Sequence, residues 1–302
     1  MQLRNPPVWQ GERKMSIFVD KNNKVLVQGA TGHQGVFHIG EMLNFGTKVV
    51  AGVTPGKAGE EVHGVPVFDN VKAAVEETGA DTSLILVPAR FAKDAVFEAL
   101  DTTIKTVVVI TENIPFHDAM EFVHYAKYKN AILIGPNCPG IASPGKTKIG
   151  ILPGNIFKVG NVGVASRSGT LTYEIVNSLT EKGIGQSTCV GLGGDPIIGT
   201  TFIDALDAFE KDKETKSIVL VGEIGGTAEE DAAEYITEHI SKPVFAFIAG
   251  RTAPSGKRMG HAGAIIARGK GTAESKIKAF DKADVKLAKF PTDIADLVEK
   301  FG

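Results

Sequence analysis

The sequence predicts an α/β protein in which two open, mostly parallel sheets follow one another along the chain. Three observations predict it. Short β-branched runs alternate with helical patterns through the first half, a stretch dense in Pro and Gly without periodicity interrupts them from Gly135 to Gly160, and the alternation then restarts. A chain of 302 residues, 43% hydrophobic, is long enough to bury two cores.

In the first series, strands are expected at Lys24–Gln28, Lys48–Gly52, Ser83–Val87, Lys105–Ile110 and Ala131–Ile134. Helices are expected at His33–Phe45, Val71–Thr78, Phe91–Leu100 and Asp118–Lys129. Such βαβ repetition requires a parallel sheet covered on both faces. In the second series, strand Val162–Ala165 leads to helix Thr170–Lys182, Gln186–Val190 to Phe202–Lys211, and Ser217–Val221 to Ala228–His239. Strand Val244–Ile248, a late strand near Val285–Ala288 and a helix from Thr292 complete it. The second half reads as a flavodoxin-like open sheet, with ligands at the carboxyl ends of its strands. The expected division is an extension outside the fold over 1–14, a first domain over 15–143, a linker over 144–160 and a second domain over 161–302.

Composition narrows the function classes. A formal charge of −2 gives no basic footprint for nucleic acid, and no apolar run is long enough to span a membrane. Cys138 and Cys189 are far apart and in no CxxC pattern, so neither a disulfide framework nor a structural zinc site is indicated, and a reducing compartment is expected. The first 14 residues lack a signal-peptide core; Arg4, Arg13 and Lys14 leave open a remnant of an organelle-targeting segment.

The first strand ends in Gly29-Ala30-Thr31-Gly32-His33-Gln34-Gly35, a G-x-x-G-x-x-G turn opening a helix, which suits a pyrophosphate cradled on backbone amides and makes this domain Rossmann-like. The second strand offers no carboxylate for an adenosine ribose. It runs instead into Gly52-Val53-Thr54-Pro55-Gly56-Lys57, and Lys57 suits an extra phosphate such as coenzyme A or NADP carries. A literal P-loop pattern at Gly140 to Thr147 is read as accidental: Pro136 and Pro139 separate it from the preceding strand, and Gly150, Pro153 and Gly154 preclude a long helix after it.

Three features of the second half carry chemistry. Ser168, Gly169 and Thr170 join a strand to a helix and would present free amides and hydroxyls to phosphate at the helix start. Glu223 stands where a strand reaches the ligand edge and can orient an imidazole. His261 sits between Gly260 and Ala262-Gly263, after Lys257 and Arg258 and before a helix-like apolar run over 262–267. Small neighbours, two cations and helix-start amides are what a histidine needs to carry a phosphoryl group.

These motifs, with Ile110-Thr111-Glu112, Gly135 to Gly140, Ser166 to Tyr173, Gly193 to Pro196, Gly222 to Gly226 and Gly256 to Ile265, resemble in order and spacing the alpha-subunit family of succinyl-CoA synthetases, from about Met15 to the C-terminus. The resemblance implies that His261 is phosphorylated during turnover with Glu223 supporting it. It also implies that Thr31, Gly32, His33, Gln34, Lys57, Ile110, Thr111 and Glu112 contact coenzyme A, and that Tyr173 lies by the carboxylate substrate. His33 occupies a variable position of the glycine turn, and Arg90 stands where the family usually has proline, so the pattern departs locally near the CoA loops.

The expected reaction is formation of succinyl-CoA from succinate, CoA and ATP or GTP, through phosphohistidine and an acyl phosphate that replaces a poor leaving group by phosphate. Related malate-, citrate- or acetate-type CoA ligases are the alternatives within enzymes, and a non-catalytic CoA- or NAD-binding module outside them. Because the chain offers no triphosphate site of its own, a partner is expected. The resemblance makes it a beta subunit of ATP-grasp fold that binds the nucleotide with Mg2+, in an αβ or (αβ)2 assembly. No metal ligands are expected on this chain. The expected location is the cytoplasm of a bacterium or archaeon, with the mitochondrial matrix left open.

Overall fold

The computed structural model describes residues 16–254, 258–266 and 271–302. The N-terminal extension, Met15, Lys257 and Ala267 lie outside the described residues. The first sheet contains β1 (Lys24–Gln28), β2 (Lys48–Val53), β3 (Glu61–Val62), β4 (Val65–Phe68), β5 (Thr82–Ile85), β6 (Thr106–Val109) and β7 (Ile132–Ile134). Helices α1 (His33–Phe45), α2 (Val71–Thr78), α3 (Ala89–Leu100) and α4 (Phe116–Tyr128) accompany it. The strand order is β3-β4-β2-β1-β5-β6-β7, parallel except for the short β3. The order reverses between β2 and β5 on either side of β1, which opens a crevice at their carboxyl ends.

The glycine turn after β1 is built by contact. A Cβ placed at Gly35 would come within 2.2 Å of the Gly29 carbonyl oxygen and 2.6 Å of that of Ala30, so only glycine lets α1 start this close to the turn. Gly32 caps α1 without a side-chain bond, so the first amides of the helix take no partner from their cap. Gly46, at φ 96°, closes the helix with its amide on the Leu43 and Met42 carbonyls.

The second sheet contains β8 (Gly140–Ser143), β9 (Thr147–Gly150), β10 (Val159–Ser166), β11 (Gln186–Gly191), β12 (Ser217–Glu223), β13 (Val244–Ala249) and β14 (Lys286–Leu287). Its helices are α5 (Gly169–Glu181), α6 (Phe202–Lys211), α7 (Ala228–His239), α8 (Ala273–Lys282) and α9 (Asp293–Phe301). Numbered by appearance, its five parallel strands lie in the order 2-1-3-4-5 expected of a flavodoxin-like sheet, and the antiparallel hairpin β8–β9 extends it beside β11.

Where the sequence predicts a linker over 144–160, the structure therefore has strand β9 and the beginning of β10, both hydrogen-bonded into the second sheet. The turns at 144–146 and 151–158 hide the strands: each is too short to show a period between prolines and glycines. The P-loop-like residues 140–147 are this hairpin, and Lys146 at its tip pairs with Glu214.

The two sheets share a core. Ile39 and Met42 of α1 belong to the same buried cluster as Ile141 and Ile149 of the hairpin and Leu206 and Phe209 of α6. At its edge Thr47 Oγ1 accepts from the Lys148 amide at 3.0 Å and donates to the Lys148 carbonyl at 2.8 Å, so the hairpin is fastened to the first domain by both apolar packing and a backbone clasp.

Candidate active site

A cleft of about 530 Å3 opens between the two domains. The first domain contributes Gln34 at the start of α1, Val87, Pro88 and Ala89 after β5, and Ile110, Thr111 and Glu112 after β6. The segment joining the domains contributes Asn137, Cys138 and Pro139, and the second domain Gly169, Thr170, Tyr173 and His261. All these belong to loops or helix starts at the carboxyl ends of parallel strands, where such folds bind ligands.

The loops are tied to one another. Thr111 Oγ1 donates to the Val87 carbonyl at 2.7 Å, the Asn137 amide to the Thr111 carbonyl at 3.0 Å, and the Gly194 amide to the Asn137 carbonyl at 3.1 Å. The Asn137 side chain also donates to Asp195 Oδ1 at 2.9 Å. Bonds thus run without a gap from the loops of the first domain to the loop beneath His261.

His261 is the chemical centre. Its Nδ1 lies 2.8 Å from Glu223 Oε2. Glu223, at the last position of β12, is buried. A carboxylate can only accept, so Nδ1 carries the proton and Nε2 is left as the basic nitrogen. The bond to Glu223 raises the imidazole pKa above its ordinary value; burial opposes this, Glu223 and Asp195 add to it by charge, and Arg167 subtracts from it. Arg167 Nη2 stands 3.4 Å from Glu223 Oε1, close enough to act as a counter-charge but out of line for a hydrogen bond, so that buried oxygen has no donor among the described residues.

Behind Arg167, Glu229 accepts from Nη1 at 3.1 Å and from the Glu223 amide at 3.1 Å. Beneath the ring the Gly194 backbone is in contact, and a Cβ there would overlap the imidazole.

The structure corrects one expectation around this residue. The described residues after His261, up to Ile266, form turns rather than a helix start. The Gly263 amide donates to the Gly194 carbonyl at 3.1 Å, that of Ala264 to His261 at 3.2 Å and that of Ile265 to Gly263 at 3.0 Å. These amides are therefore engaged. The backbone cannot coil because Gly260 is left-handed at φ 80° and Gly263 is pressed against the Gly194 carbonyl and the Arg167 guanidinium.

The helix that does open onto the cleft is α5. Ser168 caps it by accepting the Leu171 amide at 3.4 Å, and is itself braced by Ser166, while Gly169 and Thr170 face the cavity. One turn on, the half-buried Tyr173 has its phenol pKa pushed up by burial and remains a neutral hydrogen-bond donor.

Among the residues expected from sequence, Gln34, Ile110, Thr111, Glu112, Gly169, Thr170, Tyr173 and His261 come together around one cleft, with Glu223 bonded to His261 from behind. Thr31, Gly32 and His33 precede Gln34 in the same turn without lining the cavity, and the Thr31 amide donates to Thr54 Oγ1 at 3.3 Å. Lys57 stands outside the cleft, exposed, with Nζ 2.7 Å from Glu60. Asn137, Cys138, Pro139 and Arg167 are site residues that sequence reasoning passed over. Their signal was the segment Gly135 to Gly140 and the residue between two serines, which carry no chemistry until the fold places them.

Residues 20–113 match the CoA binding domain family and residues 165–285 the CoA-ligase family. The chain is 62% identical to succinate–CoA ligase [ADP-forming] subunit alpha 2 of Archaeoglobus fulgidus over 94% of its length and 99% of the relative's. It is 58% identical to the corresponding alpha subunit of Aquifex aeolicus, covering 95% of this chain and 94% of that one.

Among solved structures it resembles the ATP citrate lyase of Methanothrix soehngenii in complex with citrate and coenzyme A. The TM-score is 0.87 at 26% identity, over 95% of this chain and 50% of that chain, so it spans half the lyase polypeptide. A dinucleotide-forming acetyl-coenzyme A synthetase of Ca. Korarchaeum cryptofilum shares the fold, with a TM-score of 0.73. Both halves of this chain match family models in order, and it covers nearly all of these relatives: the chain belongs to the family of succinate–CoA ligase alpha subunits.

Proposed function

We propose that this chain forms succinyl-CoA, reversibly, as the alpha subunit of an acid–CoA ligase in which His261 carries the phosphoryl group. The observation that carries the reading is the His261–Glu223 pair, facing a cleft whose opposite wall is made by the loops of a CoA-binding domain. With Nδ1 held by Glu223, Nε2 attacks the terminal phosphorus of the nucleotide; an N–P bond forms and the P–O bond to the departing diphosphate breaks.

A succinate carboxylate oxygen then attacks the same phosphorus, the N–P bond breaks, and succinyl phosphate results. The CoA thiol loses its proton and attacks the acyl carbon, and inorganic phosphate leaves. The start of α5, with Ser168 as its cap and Gly169 and Thr170 facing the cleft, stabilises the transferring charge, and Tyr173 donates to the carboxylate substrate. Thr31, Gly32, His33, Gln34, Lys57, Ile110, Thr111 and Glu112 hold coenzyme A.

The nucleotide and Mg2+ belong to a beta subunit of ATP-grasp fold, in an αβ or (αβ)2 assembly; the ADP-forming relatives favour ATP. Identity of 62% to a succinate ligase subunit against 26% to a citrate lyase favours succinate over citrate. The proposed units are the first sheet with its helices for CoA and the second sheet, from β8 onward, with its helices for phosphoryl transfer, and the buried Cys138 and Cys189 fit a reducing cytoplasm.

The test is to combine the chain with its beta subunit, magnesium and γ-labelled nucleotide. An acid-labile, alkali-stable label is expected on His261, and succinate with CoA should discharge it to succinyl-CoA and phosphate. His261→Asn should abolish the label. Label persisting on that variant, or full-rate acyl-CoA synthesis by the chain alone, would overturn the reading.

A further inference from the structure

Lys276, on α8, is fully buried, though it lies four side chains away from the nucleophile. An ammonium without water must be matched by acceptors. Its three protons find three: the Glu229 carboxylate, Glu230 Oε2 at 2.9 Å and the Gly226 carbonyl at 3.1 Å. Glu229, at the start of α7, is buried as completely, and its carboxylate turns its other oxygen to Arg167 and to the amide of Glu223. Arg167 Nη1 also donates to the Gly225 carbonyl at 3.3 Å, while Nη2 faces Glu223 Oε1. The backbone is shaped to admit this arrangement, since a Cβ at Gly222 would come within 2.6 Å of Glu229 Cγ.

The result is an alternation of charge from α8 to the imidazole: Lys276, Glu229, Arg167, Glu223, His261. Apolar residues of similar volume would hold α7 and α8 together at least as well, so stability alone does not account for a buried row of ions. What the row does supply is a fixed place and a balanced charge for Glu223. Among the described residues its Oε1 has no hydrogen-bond donor, and the Arg167 guanidinium faces it.

We infer that Lys276 and Glu229 are positioning residues which, through Arg167, set the orientation of Glu223 and hence the tautomer and basicity of His261. The inference rests on the assignment of His261 as the phosphorylated residue. Among the described residues, the charged groups that face the imidazole are Glu223 at the end of β12, Arg167 between β10 and α5, and Asp195 between β11 and α6. Removing the charge of Lys276 lets Glu229 draw Arg167 toward itself and away from Glu223, so His261 holds its proton more tightly. Removing the charge of Glu229 releases Arg167 to Glu223, and His261 holds its proton less tightly.

The test uses the assembled enzyme with its beta subunit and measures single-turnover phosphorylation of His261 against pH. Lys276→Met should move the acid limb upward and Glu229→Gln downward, each by about half to one pH unit for a displaced or deleted charge at this range. Lys276→Arg should leave the limb in place. Nitrogen NMR of His261 should show the Nδ1–H tautomer in the wild type and a growing Nε2–H population in Glu229→Gln. Glu229→Gln keeps Lys276 paired with Glu230, so it decides the matter even where Lys276→Met fails to fold. Absence of label on wild-type His261 refutes the assignment of the nucleophile. A labelled wild type, with limb and tautomer unmoved in Glu229→Gln, or with both single variants shifting the limb the same way, overturns the inference.

Discussion

Gly194 lies beneath the His261 ring so closely that a Cβ at position 194 would come within 2.2 Å of the imidazole Cγ and 2.5 Å of Nδ1. The ring therefore rests on a bare peptide, and Gly194→Ala must lift it away from Glu223. The expected outcome is a fall in the phosphorylation rate on the order of 100-fold, since small misplacements of a reacting group cost that much. CoA affinity should be unchanged, because the added methyl meets the imidazole and leaves the Gly194 amide free to keep its bond to Asn137. Rapid-quench labelling and calorimetric CoA titration check the two halves separately.

Glu223→Gln replaces an anion by an amide that can donate or accept. Loss of the carboxylate removes the main cause of the raised His261 pKa, so the acid limb of phosphorylation should move down, while the rate at its plateau falls by about 100-fold or more as the tautomer is no longer imposed. In the wild type the rate should decline as pH drops through a value above that of free imidazole, because only neutral Nε2 attacks.

Stability follows the opposite limb. A pKa raised by folding stabilises the protonated form, so the pair's contribution is fully present below the unfolded value of about 6.5 and is lost as pH rises through the folded one. Melting curves of wild type and His261→Asn should therefore diverge most in acid.

Lys57→Glu tests the CoA phosphate contact. The ion pair of Lys57 with Glu60 is exposed, and such pairs are worth about 0–1 kcal/mol, so it does not prevent Lys57 from turning to a phosphate. The substitution should weaken CoA binding by about 1–3 kcal/mol, the range of a charge-assisted bond, and leave His261 labelling intact. Equal CoA affinity in calorimetry would place Lys57 outside the binding site.

Lys146→Ala probes the P-loop resemblance. Lys146 sits in a hairpin turn and pairs with Glu214, with no helix after it to receive phosphates. Nucleotide KM and labelling rate of the assembled enzyme should be unchanged; a rise in nucleotide KM would reopen that segment as a nucleotide site.

The long elements were plain in the sequence because each shows its own period. α1, α2, α6 and α7 begin and end where their apolar spacing and caps place them, with Gly46 and Gly79 as left-handed stops and Thr201 and Asp204 forming a capping box. Strand β3, of two residues, is too brief to show any, and Pro66 inside β4 masks that strand. Helix α8 escaped for a different reason: its buried face carries Lys276 between Ala273 and Phe280, which breaks the apolar stripe that identifies a helix.

At the site, His261 and Glu223 were legible because their chemistry is local to glycine-rich turns. Arg167, Asn137 and Glu229 were not, because their meaning lies in partners far along the chain, as in the Arg167–Glu229 bond across 62 residues and the Asn137–Asp195 bond across 58.

The hairpin β8–β9 decides how this molecule can be divided. It follows the first domain directly in the gene, yet it completes the sheet of the second. A fragment ending at residue 150 would carry two strands with no β11 to receive them, and one beginning at 151 would leave β11 with an open, apolar edge, a template for aggregation. The cut that respects the hydrogen bonding falls ahead of β8, at residues 135–139. Even there the freed first half would bare Ile39 and Met42, so the halves are better expressed together and recombined than purified apart.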